Sequence, residues 1–286
     1  MTLIITLLLA LAPEADAYVQ SITEWRAARE ARLTSETGWL TVAGLVWLKG
    51  GRNTVGSAPS SDVVLPAPAP SAVGTLTVSG SRVEFVAAKG AAPKSDGRAA
   101  GRLALTPDRT LLQIGSVTFS VIERAGRLGV RIRDTNAAAR RRFSGLQWYP
   151  VDSRWRARAT LVPPAKPRVQ PIATIVGDTI EMESAGELVF TVGGRELRLE
   201  ALFESDERSE LFIMFKDRTN GDATYGAGRY MYLPVPPAGG SVEIDFNKAY
   251  NPPCAYTDFA TCPLPPSQNW LPVPIEAGEK NYRSGH

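Results

Sequence analysis

Thr110–Ile132, TLLQIGSVTFSVIERAGRLGVRI, decides the fold class. Three runs inside it, Thr110–Ile114, Val117–Ile122 and Leu128–Ile132, are bounded by turn residues and carry the period-two alternation of half-buried strands. The same kind of text continues outward. Gly74–Val78 and Val83–Ala87 precede it; Thr174–Val176, Leu188–Val192, Leu197–Phe203, Leu211–Phe215, Tyr230–Leu233 and Val242–Phe246 follow. Across the 286 residues, 25 Gly and 22 Pro break the chain so often that a helical pattern survives in one place only.

That place opens on Ser21-Ile22-Thr23-Glu24, a capping-box pattern in which a hydroxyl and a carboxylate satisfy each other's free backbone N–H groups. It predicts a helix to about Ser35 that packs through Ile22, Trp25, Ala28, Arg29 and Leu33 and exposes Arg26 and Arg32. The expected fold is mainly β: an N-terminal helix over 18–37, a β-sandwich-like half over 38–162, and a second β unit, barrel or sandwich, over 163–286. Pro163-Pro164-Ala165-Lys166-Pro167 cannot pair as a central strand and reads as the connection between the halves.

Residues 1–17 hold an apolar run, Leu3–Leu11, followed by Ala15-Asp16-Ala17, and read as a signal peptide cleaved before Tyr18. The run is about half the ~20 residues needed to span a bilayer, so no transmembrane anchor is expected after cleavage. The protein is then exported, periplasmic or extracellular. An oxidising compartment lets Cys254 and Cys262 pair, and a disulfide closing this short Pro-rich loop is expected. Zinc is the alternative, but no second Cys pair exists and the single histidine, His286, is the last residue. No metal or cofactor is expected. A terminal histidine also excludes Ser-His-Asp and Cys-His sites, which need an imidazole on the folded scaffold. The formal net charge of +3, rising to +5 once Glu14 and Asp16 are removed, is too mild and dispersed for nucleic acid. It is compatible with an anionic small molecule.

Four stretches carry more than composition: GWLTVAGLVWL at Gly38–Leu48, GVRIRD at Gly129–Asp134, DRTNGDATYGAGRYMY at Asp217–Tyr232, and IDFNKAYNPPCAYTDFATCPLPPSQNWLPVPIEAGEK at Ile244–Lys280. Together they closely resemble the bacterial and archaeal family named domain of unknown function 1684. The resemblance spans nearly the whole chain beyond Ala17 and implies kinship without an activity. A fainter likeness lies in GRNTVGSAPSSDVVLP at Gly51–Pro66, which resembles the opening of a forkhead-associated sandwich. Ser57 stands where that family carries its phosphate-reading Arg, so the likeness implies a sandwich and not phosphopeptide binding.

The polar residues of the second half are the candidate site. Asp217, Thr219, Asn220 and Asp222 surround Gly221, but the spacing fails for a calcium loop and a polar turn explains them. Thr224, Tyr225 and Arg229 sit in a Gly-rich stretch where the backbone approaches either a ligand or another strand. Arg229 reads as an anion fork or as the partner of an internal acid such as Asp245. Asp245 and Asn247 share a strand face beside Tyr250 and Asn251, positions that suit a pocket or the tethering of the Pro-rich loop. Glu276 and Glu279 flank Gly278, and a carboxylate from here facing Asp245 would form an acid/base pair. Asp217, Asp245 and Glu276 are the catalytic candidates; Thr224, Tyr225, Arg229, Asn247 and Tyr250 the ligand-binding ones. Arg131 and Arg133, opposite Val130 and Ile132, read as a solvated row, as do Arg154, Arg156 and Arg158; an anion site is the other reading. The function expected is binding of a small polar or anionic ligand in the C-terminal half. A carboxylate-dependent hydrolase and an envelope scaffold are the alternatives.

Overall fold

The computed structural model describes residues 12–237 and 240–282; His286 and most of the apolar leader lie outside this range. In chain order the first part comprises α1 (Ala12–Thr34), β1 (Val42–Trp47), β2 (Gly51–Gly56), β3 (Val63–Val64), β4 (Gly74–Ser79), β5 (Arg82–Ala87), β6 (Lys94–Ser95), β7 (Arg98–Ala99), β8 (Arg102–Leu105), β9 (Leu111–Ile114), β10 (Val117–Arg124), β11 (Arg127–Asp134) and α2 (Ala138–Arg141). The second comprises β12 (Arg156–Val162), β13 (Val169–Ala173), β14 (Thr179–Val192), β15 (Arg195–Phe203), β16 (Glu210–Phe215), β17 (Arg229–Pro234) and β18 (Ser241–Asp245). The mainly β expectation holds. No helix among the described residues is long and apolar enough to cross a membrane.

Two sheets build the first unit, ordered β1-β11-β10-β9-β6-β7 and β3-β2-β4-β5-β8. Their alternating apolar residues meet in one core: Val55, Leu76 and Phe85 from one sheet against Leu112, Phe119, Val130 and Ile132 from the other. Phe85 and Phe119 touch edge to face at 6.0 Å. This is a sandwich, and nothing beyond that layout supports the forkhead-associated likeness.

The second unit is a single sheet, β17-β16-β15-β14-β12-β18, with β13 added onto β14. Its end strands approach each other, so the sheet is a nearly closed barrel around Leu188, Leu199, Leu211, Ile213, Phe215 and Ile244. Arg156–Val162 pairs with β14 and β18 here, not in the first half where the sequence reading put it. The prolines from Pro163 to Pro167 therefore connect β12 to β13 within one unit.

Helix α1 starts earlier than its expected cap. Ser21 is an interior residue whose hydroxyl donates to the Tyr18 carbonyl at 2.7 Å, so the capping box does not form. Of the expected packed side, Ile22, Leu33 and Arg29 are buried and Trp25 is half-buried, but Ala28 is exposed. Arg26 corrects the solvated-face expectation, since its guanidinium lies over the Trp148 ring at 4.8 Å and is half-buried. Tyr18 fastens the start of this face. Its hydroxyl donates to Asp245 at 3.1 Å and accepts from Asn247 Nδ2 at 2.9 Å. Tyr18→Phe leaves the buried Asp245 carboxylate one donor short, and thermal denaturation is expected to report a loss of about 1–3 kcal/mol. An unchanged melting point would mean that water replaces the hydroxyl.

Candidate functional site

Most of the polar residues singled out above lock the fold. Arg229, fully buried at the start of β17, pairs with Asp217 Oδ2 at 2.6 Å and donates to the carbonyls of Ile275, at 2.9 Å, and Ala277. Its partner is therefore Asp217 and not Asp245. Asp217 Oδ1 accepts from the Thr219 N–H and hydroxyl at 2.8 and 2.6 Å and from the Ile275 N–H at 3.2 Å. Thr224 closes the turn through a hydroxyl contact with Thr219 at 2.8 Å. At Gly228 the Gly-rich stretch closes against other protein backbone and side chain. Gly228 has φ +106°, and a Cβ there would lie 2.6 Å from Pro265 Cγ and 2.7 Å from the Phe215 carbonyl.

A second network ties the chain end to helix α1. The fully buried Glu279 accepts from the Asn251 N–H at 3.1 Å, from Asn251 Nδ2 at 2.9 Å and from the Tyr256 hydroxyl, with Arg29 Nε at 3.8 Å. Burial outweighs the Arg29 charge and raises the Glu279 carboxyl above its ordinary value. Arg29 also lies 4.5 Å from the Tyr250 ring centre, and Tyr250 lines a cavity of about 400 Å3 between α1 and the second unit.

Asp245 belongs to a third group. Besides Tyr18 it accepts from the Asn247 N–H and Nδ2 at 3.0 Å, while Asn247 holds Asp152 through its N–H at 3.1 Å and its carbonyl at 2.9 Å. Glu276 is exposed and enters none of the hydrogen bonds or ion pairs of the described residues. The three catalytic candidates thus sit in three separate surroundings, and Asp245 faces neither Glu276 nor Glu279.

Cys254 and Cys262 are not bonded to each other in this structure, so the expected disulfide is not supported. They lie side by side, with the Cys254 N–H donating to Cys262 Sγ at 3.2 Å. Hydrogen bonds hold this loop instead: Tyr225 Oη to the Cys254 carbonyl at 2.9 Å, the Ile175 N–H to the Cys262 carbonyl at 2.8 Å, and Tyr230 Oη to the Pro263 carbonyl. The Cys262 sulfhydryl pulls the Cys254 thiol down from its ordinary value, and the same contact together with burial pushes Cys262 up.

One feature sits outside these closed networks. A cavity of about 520 Å3 opens between the two units, with Trp39, Arg124 and Arg131 on the first unit's wall and Thr174, Tyr230, Thr261 and Cys262 on the second's. Arg131 is only 6% exposed. It enters no ion pair among the described residues, its Nε has no partner, and Nη2 reaches Thr261 Oγ1 at the long distance of 3.5 Å. The hydroxyl of Thr174, equally buried, is also without a partner. Trp39 lies 5.0 Å from the guanidinium carbon. Burial, reinforced by the charges of Arg124 and Arg133, pushes Arg131 down to about 10.

The placement follows from strand periodicity. β11 is central, between β1 and β10; Val130 and Ile132 face the sandwich core and Arg131 faces the other way. That other face meets the second unit rather than solvent, which corrects the expected solvated row. Arg156 and Arg158 do form exposed pairs, with Glu243 at 2.6 Å and Ser241 at 2.5 Å.

A family model described as "Protein of unknown function (DUF1684)" matches residues 141–280. Among solved structures, the solution NMR structure of an uncharacterized protein of Haloarcula marismortui is 35% identical, covering 49% of this chain and 78% of that one, with a TM-score of 0.42. No curated protein matches the chain.

Proposed function

Because the chain belongs to the DUF1684 family of proteins of unknown function, we propose on the geometry of its inter-unit cleft that it binds a small anionic ligand there, with Arg131 as the group that reads the anion. The observation that carries this reading is a buried guanidinium with no anion of its own. The Nε atoms of Arg29 and Arg229 also lack a partner, but among the described residues both of these buried arginines have a carboxylate: Arg229 has Asp217 and two carbonyls, Arg29 has Glu279, the Asn251 carbonyl and the Tyr256 hydroxyl. An unpaired charge held out of water costs stability, and a ligand carboxylate or phosphate offsets that cost through two parallel N–H···O bonds. Thr174 and Thr261 add hydroxyls to the same cavity, and Trp39 supplies a flat wall.

This reading keeps the anionic ligand expected from the sequence and moves it from the second unit to its junction with the first. Export remains part of the proposal, supported by Ala15-Asp16-Ala17 before Tyr18. N-terminal sequencing of protein from an envelope fraction is expected to begin at Tyr18; an intact Met1 on a cytoplasmic form would overturn it.

A thermal-shift screen of small carboxylates and phosphates tests the cleft. An anion that raises the melting temperature of the wild type is expected to bind Arg131→Met about ten- to a hundredfold more weakly, the range for losing a charge-assisted hydrogen bond of about 1.5–3 kcal/mol. The unliganded variant is expected to be at least as stable as the wild type, because an apolar chain replaces an unpaired charge. Equal affinity in both proteins, or no stabilising anion at all, would sink the proposal.

A further inference from the structure

The wall facing Arg131 carries the opposite sign. β14 contributes Glu181 and Glu183, and the turn from β15 to β16 contributes Glu204 and Asp206, all lining the same cavity. Some of the charges around it are already matched. Arg124 pairs with Asp108 at 2.7 Å, Asp178 with Arg127 at 3.5 Å, and Glu183 with Arg208 at 2.6 Å. Glu181, Glu204 and Asp206 enter no ion pair among the described residues, and Glu204 takes only the Tyr232 hydroxyl. What is left is one buried positive charge at Arg131 and three exposed carboxylates on the opposite wall.

A simple anion suits that arrangement poorly. On Arg131 it shares the cavity with three like charges, and the protein walls strengthen the repulsion. A molecule with an anionic head and a cationic group further along its length meets both walls with the right sign. Building on the anion-binding reading above, we propose that the ligand is zwitterionic: an amino acid or short peptide-like compound whose carboxylate lies on Arg131 and whose ammonium lies among Glu181, Glu204 and Asp206. Like-charge juxtaposition then serves as the selectivity device, turning away molecules that carry only an anion.

Isothermal titration with three probes of equal chain length tests it: ε-aminocaproate, caproate and hexylamine. The wild type is expected to bind ε-aminocaproate about tenfold more tightly than caproate, the order expected when three repulsive carboxylates become attractive ones. In the triple variant Glu181→Gln, Glu204→Gln, Asp206→Asn, whose three sites are exposed, that preference is expected to vanish as caproate binding improves. Both carboxylate probes are expected to weaken in Arg131→Met. Caproate equalling ε-aminocaproate in the wild type, with both lost in Arg131→Met, would overturn the zwitterion and leave the anion site standing. Hexylamine binding as well as ε-aminocaproate, unaffected by Arg131→Met, would overturn both, as would failure of ε-aminocaproate and caproate alike to bind.

Discussion

Asp217→Asn is expected to lose about 3–5 kcal/mol of stability, the scale for stripping one partner from a buried ion pair. The neighbouring geometry explains why so small a change does so much. Arg229 is fully buried, and Asp217 is the one carboxylate paired with it among the described residues. The lost charge also loosens the Thr219 turn and the Ile275 N–H, because Asp217 Oδ1 accepts from both. Arg229 in turn grips the Ile275 and Ala277 carbonyls, so the variant unfastens the segment running to the chain end from the barrel. A urea titration reads the loss directly. The double variant Asp217→Leu, Arg229→Met is expected to recover part of it, since no charge then stays buried, but not all, since those two carbonyls lose their donor. A single variant within about 1 kcal/mol of wild type would show that water reaches Arg229.

Glu279→Ala is expected to cost a similar amount, about 3–5 kcal/mol, for the matching reason two residues beyond the Ala277 carbonyl that Arg229 grips: Arg29 is left buried against Tyr250 and Tyr256 without a carboxylate. The pH dependence separates charge from shape. Burial raises the folded-state carboxyl of Glu279 above its ordinary value of 4.5. The folded protein therefore holds this proton more readily than the unfolded chain does. Its contribution is fully present below about 4.5 and is lost as pH rises through the raised folded value. Glu279→Gln, neutral at every pH, is expected to lack that loss, so the stability difference between wild type and variant shifts towards the variant across this window. Melting temperatures of both proteins measured from acid to neutral pH check the sign. A difference that grows in favour of wild type with rising pH would mean that Arg29 and the donors outweigh burial.

The alternation of Val117–Ile122 and Leu128–Ile132 is a property of each strand alone, and β10 and β11 follow it. Ile22, Leu33 and Arg29 share a helix face by spacing alone, and they are the buried face. The same local reading misplaced the capping box, because Ser21 hydrogen-bonds back to Tyr18 in a helix that starts earlier. It also joined β12 to the wrong half, because strand text carries no mark of which sheet will accept it.

The candidate site was legible in residue type and not in partnership. A polar cluster over Asp217–Glu279 was visible, but Arg229 meets Asp217 rather than Asp245, and Glu279 meets Arg29, which lies at the other end of the chain. Arg131 and Arg133 stood in GVRIRD opposite Val130 and Ile132, a pattern that reads as one dry face and one wet face. The usable signal was the position of that strand inside a run of other strands, where its second face could also be covered.

By itself the sequence determined a mainly β chain with an N-terminal helix, because hydrophobic periodicity and turn residues act within a few positions. It also determined kinship with DUF1684, because long specific words survive without reference to shape. Only the tertiary structure decided that the barrel covers the arginine face of β11, that Asp217 and Glu279 are spent on buried partners, and that Arg131 has no carboxylate partner among the described residues. The physical reason is that burial and pairing arise between segments far apart in the chain: an arginine is the same residue in water or under a second sheet, and only the packing sets which it is.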